Sequence, residues 1–521
     1  MFIVKKNAFI VIIFLLIGLM LILIDIINGE TGLTTDSCYY LRLSKNIIDG
    51  KGYRIGGEKH TVFPPGYPII VALAFKIFQD YLSAGQLISI LSYIAVVIIF
   101  FKLLSTYINN FKLVFFVTVL LIFNRDILEL SNKALSMMFY IFLVILNLLI
   151  VLRLIMKERQ ASSYFIMLGS ISAFLYLVRP EGLIIFVINC ILFFYFVYRK
   201  KLKFMNFFIL IFSFSLIISP YIYFLSRASG KFVFSGKTMN LLIFEKDKAD
   251  RLLYEKNSGR LFGDKKLPLI DAGAMANFGV IDYLKFNKKD IIKRIFENSI
   301  SYFKAVIASL GLSSMMLLWL AYLIAKKDLE YRPILLYLSL LLASSVFLLF
   351  FKISIFWISY FPIFLFCLAL IADYLIITKK INKHIVYFTI ISGILVNVYF
   401  GRDELNQMFK KKDINRIEKI ASAYIKKTEI QGGEIILSRK PFLPYLAELD
   451  WVRIPWFDQA DEFINYMKKY KLRYFIMSKY ERDSRPFLFA EEKLGRIYEY
   501  AELVYDLNYK DDNLKVFKMR E

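Results

Sequence analysis

The stretch TTDSCYYLRLSKNIIDGKGYRIGGEKHTVFPPGYP, from Thr34 to Pro68, follows the first long apolar segment of the chain. Asp36 stands near the start of a run in which Tyr40 and Leu43 recur at helical spacing, and Gly50 is placed to end that helix. The helix is too short to cross a bilayer. The sequence therefore predicts a helix that lies along a membrane surface with its apolar face in the interface.

A proline-rich clamp, residues 63–68 (FPPGYP), closes this stretch. Proline fixes its own φ angle and disfavours helix in the residue before it. The pattern predicts an extended segment here, followed by a helix from about Ile69.

The composition around this stretch is that of a membrane protein. Of 521 residues, 58% are hydrophobic and 17% aromatic, with a mean hydropathy of +0.55, which is too apolar for an ordinary soluble domain. Hydropathy predicts about eleven membrane-spanning helices. They begin near Ala8, Gln86, Lys112, Ala134, Tyr164, Glu181, Phe204, Ser301, Arg332, Ser354 and His384.

The net charge of +24 is arranged along the loops in an alternating pattern. Basic residues fall on every second loop: Lys5/Lys6, Lys112, Arg153/Lys157/Arg159, Arg199/Lys200/Lys201/Lys203, Lys326/Lys327/Arg332 and Lys379/Lys380/Lys383. This positive-inside pattern predicts that the N-terminus and these loops are cytoplasmic, and that the Asp36 loop and the tail lie outside. It argues against nucleic acid as the partner, whereas an anionic polyprenyl-phosphate lipid fits cations near a bilayer.

The sequence predicts two domains. Residues 1–400 form a transmembrane domain with a first outer loop at 28–85 and a large outer loop at 226–300. In the tail, 401–521, helical patterns alternate with strand-like runs at 434–437, 474–477 and 514–517, which predicts a small extracytoplasmic α/β domain.

Cysteine and histidine are scarce. With three cysteines and two histidines, of which Cys190 and Cys367 fall in apolar spans, the sequence supports neither a disulfide framework nor a histidine-rich metal site.

The motifs of the chain resemble the GT-C superfamily of membrane glycosyltransferases that use lipid-linked sugars, in particular the branch that includes lipid A aminoarabinose transferase and the protein O-mannosyltransferases. The resemblance rests on an aspartate followed by Y-L-x-L-x-x-N-I-x-x-G-x-G-Y and on the proline clamp. It also rests on R-P-E-G, P-Y-x-Y, S-G-K-T and S-R-K-P at 179–182, 220–223, 235–238 and 438–441. It implies a mainly α-helical, polytopic GT-C bundle with outer juxtamembrane helices, transferring a sugar from a polyprenyl phosphate with inversion.

The chain departs from the pattern of this family at three places. Ser37 stands where a second acid is common, Met137 follows Ser136 where a glutamate is common, and Ser359-Tyr360 replaces an Arg-Tyr pair. These changes leave a divalent metal possible but unsupported.

The resemblance implies that Asp36 is the general base, since a carboxylate within hydrogen-bond reach can take a proton from an acceptor. The alternative is that Asp36 only caps the helix, because aspartate is favoured there. Arg179 and Lys237 are candidates for binding the donor phosphate, with Arg42 and Lys45 as further candidates.

Each of these positively charged residues also has a structural interpretation. Arg179 would close a helix corner through a salt bridge with Glu181, Lys237 would be a solvated loop lysine, and Arg42 and Lys45 would reach lipid headgroups. The predicted substrate cavity comprises Tyr40, His60, Phe63, Pro65, Tyr67 and Glu181, although a lone loop histidine such as His60 is usually solvated.

The predicted partners are a polyprenyl-phosphate sugar donor, the lipid bilayer, and an acceptor that is a lipid, glycan or protein. Two other classes of protein remain open. A transporter or lipid flippase would carry charges deep within its spans, and a non-catalytic membrane scaffold would need neither base nor phosphate site.

Overall fold

The computed structural model describes residues 2–28, 32–156, 161–230, 232–236, 332–344, 358–378, 381–400, 415–428, 434–455, 459–509 and 512–520, with isolated residues between 289 and 304 and at 409, 430 and 457. Two compact units are formed. The first takes residues 1–32, 64–224 and 284–412, and the second takes 33–63, 225–283 and 413–521. The predicted division lies near residue 401. In the structure, residues 33–63 of the predicted first outer loop group with the tail, and one boundary between the units falls inside the clamp, between Phe63 and Pro64.

The first unit is a bundle of apolar helices. They are α1 (Phe2–Ile27), α3 (Gly66–Phe78), α4 (Tyr81–Tyr107), α5 (Phe111–Ile122), α6 (Arg125–Ser131), α7 (Ser136–Met156), α8 (Ser162–Val178), α9 (Gly182–Tyr198), α10 (Phe204–Ser229), α11 (Arg332–Ser344), α12 (Phe361–Thr378) and α13 (Lys383–Phe400). Within the described ranges, five helices are long and apolar enough to cross a membrane, and five shorter apolar helices accompany them. The predicted multi-pass membrane bundle is thus confirmed.

A helix lies at each predicted span except the one near Ser301, which lies largely outside the described residues, as do the end of the span near Arg332 and the start of the span near Ser354. One boundary in the clamp was predicted wrongly. Helix α3 begins at Gly66, not at Ile69, with Pro65 as its N-cap and Pro68 in its first turn. Proline is tolerated there because the first N–H groups of a helix have no intrahelical partner.

A buried polar network ties four helices of the bundle together. Asn147 on α7 donates from Nδ2 to the Tyr337 hydroxyl on α11 at 3.1 Å, and Tyr337 donates to Asn189 Oδ1 on α9 at 2.7 Å. Asn147 Oδ1 accepts from Asn189 Nδ2 at 3.0 Å and from the Ser172 hydroxyl on α8 at 3.3 Å. In lipid, hydrogen bonds between helices contribute to association together with van der Waals packing, whereas burial of apolar surface contributes little.

Replacing Asn147 with leucine should lower the free energy of unfolding by about 1–3 kcal/mol, because it leaves Asn189 and Ser172 short of partners in a dry interior. Thermal unfolding of the purified protein in detergent measures the effect. Thr118→Val is the matched control, since the buried Thr118 hydroxyl donates to the Val114 carbonyl one turn back, at 2.7 Å, and bonds no other described residue. Equal losses in both variants would contradict the role assigned to the network.

The second unit contains α2 (Thr35–Ile48), a β1–β2 hairpin (Arg54–Ile55 and Glu58–Lys59) and the tail domain. The tail elements are α14 (Arg416–Ile425), β3 (Ile435–Leu437), α15 (Phe442–Leu446), β4 (Asp450–Val452), α16 (Ala460–Lys469), β5 (Tyr474–Met477), α17 (Lys479–Ser484), α18 (Pro486–Lys493), α19 (Ile497–Tyr500), β6 (Ala501–Tyr509) and β7 (Asp512–Met519).

The tail strands form one mixed sheet in the order β4-β3-β5-β7-β6. Strand β3 runs parallel to β4 and β5, whereas β7 is antiparallel to β5 and β6. Phe463 of α16 packs edge-on against Phe475 of β5, which stacks on Phe517 of β7. The predicted small α/β domain is therefore confirmed.

Candidate functional site

The first turn of α2 is capped by Thr34 and Ser37. The Ser37 backbone N–H donates to Thr34 Oγ1, and the Thr34 backbone N–H donates to Ser37 Oγ, both at 3.1 Å. This reciprocal pair is a capping box. Ser37, which stands at the position of the missing second acid, is thus buried in a structural contact. Capping does not require Asp36.

Asp36 is the second residue of α2 and is partly exposed. Its carboxylate has no hydrogen bond or ion pair to any other residue that the structure describes. An acid in the first turn is favoured by the helix dipole, and none of the described residues bonds to its oxygens.

The S-R-K-P motif of the tail lies beside this turn. Lys440 Nζ donates to the hydroxyl of Thr35, the residue before Asp36, at 3.2 Å. Both Asp36 and Lys440 act electrostatically on the Cys38 thiol, whose pKa is raised well above its usual value, chiefly by burial. Lys440 therefore lies close to the residue that carries the Asp36 carboxylate. The raised pKa and the burial of Cys38 indicate an inert thiol in the core. Lys440 was missed as a site candidate, although its motif was noted.

Arg42 and Lys45 are paired with acids of the tail domain. Arg42 Nε donates to Asp450 Oδ1 at 2.7 Å, with the arginine side chain 5% exposed. Lys45 Nζ lies 3.2 Å from Glu448 Oε2, and hydrogen bonds from Lys426 and Lys45 lower the pKa of Glu448 to about 2. This geometry favours a structural role for both cations over phosphate binding.

The Asp450→Asn variant should destabilise the attachment of α2 to the tail domain by about 1–3 kcal/mol, because it leaves the buried Arg42 without its carboxylate. Hydrogen exchange of the amides of α2 should become faster. Glu448→Gln is the control. Its ion pairs are exposed, and exposed pairs contribute only about 0–1 kcal/mol. Equal exchange rates in Asp450→Asn and the parent would contradict this role.

The apolar face of α2 is covered by protein. Tyr40, Leu41 and Leu43 are at most 1% exposed, and α2 contacts β1 and α15 of its own unit. The expectation that this face lies in the lipid interface was therefore wrong.

His60 is buried, not solvated as expected for a loop histidine. The Phe63 backbone N–H donates to His60 Nε2 at 3.2 Å, and the two rings stack at 5.5 Å between centroids. Burial lowers the pKa of His60 to about 3, so the imidazole is neutral near pH 7. Phe63 also contacts Tyr40, with ring centroids 4.8 Å apart. These residues form an aromatic support beneath α2.

The glycine of the S-G-K-T motif, Gly236, packs against the backbone of Thr61, the residue after His60. A Cβ atom on Gly236 would lie 2.1 Å from the Thr61 carbonyl oxygen, so only glycine allows this approach. Lys237, the predicted phosphate ligand that follows, lies outside the described residues.

In the first unit, three of the noted motifs converge on the end of α8. A Cβ on Gly66 of the clamp would lie 2.6 Å from the Leu177 carbonyl oxygen, and one on Gly182 of R-P-E-G would lie 2.3 Å from the Leu175 carbonyl carbon. Tyr221 of P-Y-x-Y contacts Tyr176 of α8, with ring centroids 6.1 Å apart. Tyr67 is buried and donates to the Gly85 carbonyl at 3.2 Å, which indicates a structural role for it.

Arg179 follows the end of α8 and is almost buried. Its Nη2 lies 3.1 Å from Glu181 Oε1, so the predicted corner salt bridge is present. The guanidinium also lies over the ring of Tyr140, 5.8 Å from its centroid. The Tyr140 hydroxyl is buried with no hydrogen-bond partner among the described residues. Tyr140 was missed because an aromatic residue within a span usually packs in the core.

Two of the departures from the family pattern meet in space. The Ser359 hydroxyl lies 3.2 Å from the Met137 sulfur, so a weakly polar contact occupies the place where the pattern would set a glutamate and an arginine. Within the described part of the chain, no three His, Cys, Asp or Glu side chains come together to hold a metal ion.

Comparison with known proteins yields matches to solved structures. No family model matches the sequence, and no curated protein matches it significantly. ArnT from Cupriavidus metallidurans bound to undecaprenyl phosphate superimposes with a TM-score of 0.61 at 10% identity, covering 97% of this chain and 97% of that chain. The Archaeoglobus fulgidus oligosaccharyltransferase in complex with Zn and sulfate gives 0.60 at 14% identity, covering 94% and 71%. Both are GT-C glycosyltransferases.

The chain has the GT-C fold. The archaeal oligosaccharyltransferase AglB from A. fulgidus, in complex with an inhibitory peptide and a dolichol-phosphate, agrees at a TM-score of 0.56 and 13% identity, covering 94% of this chain and 72% of that chain. The GT-C fold that the motifs implied is thereby confirmed. At such low sequence identities, the GT-C fold establishes the architecture of the chain. Its function depends on the residues of the site.

Proposed function

We propose that this chain is an integral-membrane glycosyltransferase. It transfers a sugar from a polyprenyl-phosphate donor to an acceptor at the outer face of the cytoplasmic membrane, with inversion at the anomeric carbon. The acceptor presents a hydroxyl or an amine on a lipid, a glycan or a protein. The observation that carries the proposal is that the Asp36 carboxylate has no hydrogen bond or ion pair to a described residue, on a helix whose cap is made by Thr34 and Ser37.

Asp36 acts as the general base. It takes the proton from the acceptor as the acceptor oxygen or nitrogen attacks the anomeric carbon from the face opposite the phosphate. The bond to the phosphate oxygen breaks, and the configuration inverts. A general base in this position typically contributes about 10²–10⁴-fold to the rate.

The phosphate leaves as an anion and needs fixed positive charge in place of a proton. Arg179 is the principal candidate, since its planar guanidinium matches two phosphate oxygens. Tyr140, whose ring lies under the guanidinium, supplies a further donor through its hydroxyl. Lys237 remains a proposed ligand on the strength of its motif, and Lys440 adds positive charge beside Asp36.

The fold supports this assignment over a transporter. GT-C neighbours bind undecaprenyl phosphate and dolichol-phosphate, and the central network of the bundle consists of neutral amides and hydroxyls rather than charges. A carrier of ions or charged lipids would be expected to place ionisable groups there.

The purified chain in proteoliposomes tests the proposal. Radiolabelled undecaprenyl-phosphate-linked hexoses and pentoses are supplied in parallel with the corresponding nucleotide sugars, and membrane extract provides acceptors. We expect transfer of label from at least one lipid-linked donor and none from nucleotide sugars. Movement of intact donor across the bilayer without transfer would contradict the proposal and identify a flippase, and no effect on any donor would identify a scaffold.

A further inference from the structure

A cavity of about 470 Å³ opens between the first half of α1 and the starts of α5 and α13, all within the first unit. This volume falls in the range of roughly 300–1,000 Å³ that is usual for ligand pockets. Most of its wall is apolar and includes Ile10, Phe115 and Phe388. Ile10 and Phe388 are also exposed on the bundle surface, so the cavity is accessible from the lipid side.

The side chains of Lys112 and His384, which can donate hydrogen bonds to an anion, line this otherwise apolar cavity. Both are exposed, and neither forms an ion pair with another residue of the described ranges. Tyr387, by contrast, is already engaged, since its hydroxyl donates to Asn110 Oδ1 at 2.9 Å. Lys112 and His384 lie in the first turns of α5 and α13, where the helix dipole also favours an anion.

The cavity gathers segments that the sequence predicts on one side of the membrane. Lys5 and Lys6 precede Ile10 in α1, Lys112 belongs to the second predicted cytoplasmic loop, and Lys383 begins α13. The cytoplasmic leaflet carries anionic lipids, and basic pockets between helices on that side bind their headgroups. The combination of an apolar slot and a basic rim matches a molecule with an acyl chain and an anionic head.

We propose that this cavity binds an anionic phospholipid of the cytoplasmic leaflet, with an acyl chain between α1, α5 and α13 and the headgroup phosphate on Lys112 and His384. The site is distinct from the proposed donor site, because Arg179 belongs to a helix end that the loop charges predict on the opposite side. It does not depend on the chain being a glycosyltransferase.

Native mass spectrometry of the purified full chain in detergent tests the site. The chain is titrated with palmitoyl-oleoyl phosphatidylglycerol and with phosphatidylcholine of the same acyl chains. We expect one phosphatidylglycerol to be retained in preference to phosphatidylcholine. Lys112→Gln should weaken its binding about fivefold, the effect of removing one lysine near an anionic lipid surface.

Two further variants make the result specific. Lys203→Gln removes one positive charge from another predicted cytoplasmic loop, away from the cavity, and should leave binding unchanged. Ile10→Trp fills the slot without changing charge and should weaken retention of phosphatidylglycerol. Equal retention of both lipids, or equal effects of Lys112→Gln and Lys203→Gln, would overturn the proposal and indicate annular lipid only. Displacement of the lipid by glycerol phosphate as effectively as by phosphatidylglycerol would also overturn it, because the site would then be one for a soluble anion.

Discussion

Replacing Asp36 with asparagine is expected to reduce sugar transfer by about 10²–10⁴-fold, because the amide cannot accept the proton of the acceptor. The fold should persist. Thr34 and Ser37 make the cap, so the variant loses only the attraction of one acid to the helix dipole, about 0.3–1 kcal/mol. The measurement is the initial rate of transfer in proteoliposomes, with thermal unfolding followed on the same preparation.

Asp49→Asn is the matched control for this experiment. Asp49 ends the same helix, and its carboxylate pairs with Lys51 at 3.6 Å on the exposed side. The change in charge is the same, yet transfer should stay at the parental rate. If Asp36→Asn keeps more than a tenth of the parental rate of transfer, the Asp36 carboxylate is not the general base. The first turn of α2 would then have no catalytic role.

The Arg179→Gln variant is expected to lower transfer by about 10²–10³-fold, the usual loss when one preorganised donor to a developing negative charge is removed. Arg179→Lys should recover part of the rate, because lysine restores the positive charge but cannot form the two parallel hydrogen bonds that a guanidinium makes to a phosphate. Initial rates measured against donor concentration separate kcat from KM.

Glu181→Gln separates the two roles considered for Arg179. It breaks the same 3.1 Å ion pair but leaves the guanidinium in place. If Arg179 binds the donor phosphate, the rate of transfer should fall much further in Arg179→Gln than in Glu181→Gln. Similar losses of transfer and stability in the two variants would show that Arg179 serves only the corner between α8 and α9.

The membrane bundle was predictable because lipid imposes a simple demand, a run of about 20 apolar residues for each crossing. The first turn of α2 was not, since Thr34, Thr35, Asp36 and Ser37 are all residue types that can cap a helix. Only the geometry shows that Thr34 holds this position. Periodicity likewise identified the buried face of α2 but not what covers it.

The partners of the site residues come from distant parts of the chain. Arg42 and its carboxylate partner are 408 residues apart in sequence, and the close approach of Gly66 to Leu177 depends on how α3 and α8 pack. No local pattern encodes such contacts. Tyr140 was missed for the same reason, because its unusual feature is a buried hydroxyl beside Arg179, which only the tertiary structure shows.

The most direct test of the account is an experimental structure of the chain with an undecaprenyl-phosphate-linked sugar and an acceptor bound in a lipid nanodisc. We expect an Asp36 carboxylate oxygen within about 2.6–3.2 Å of the acceptor nucleophile, or one water away from it, with the phosphate on the Arg179 guanidinium. A bound donor whose anomeric carbon lies out of reach of Asp36, or an Asp36 side chain on the cytoplasmic face, would contradict it.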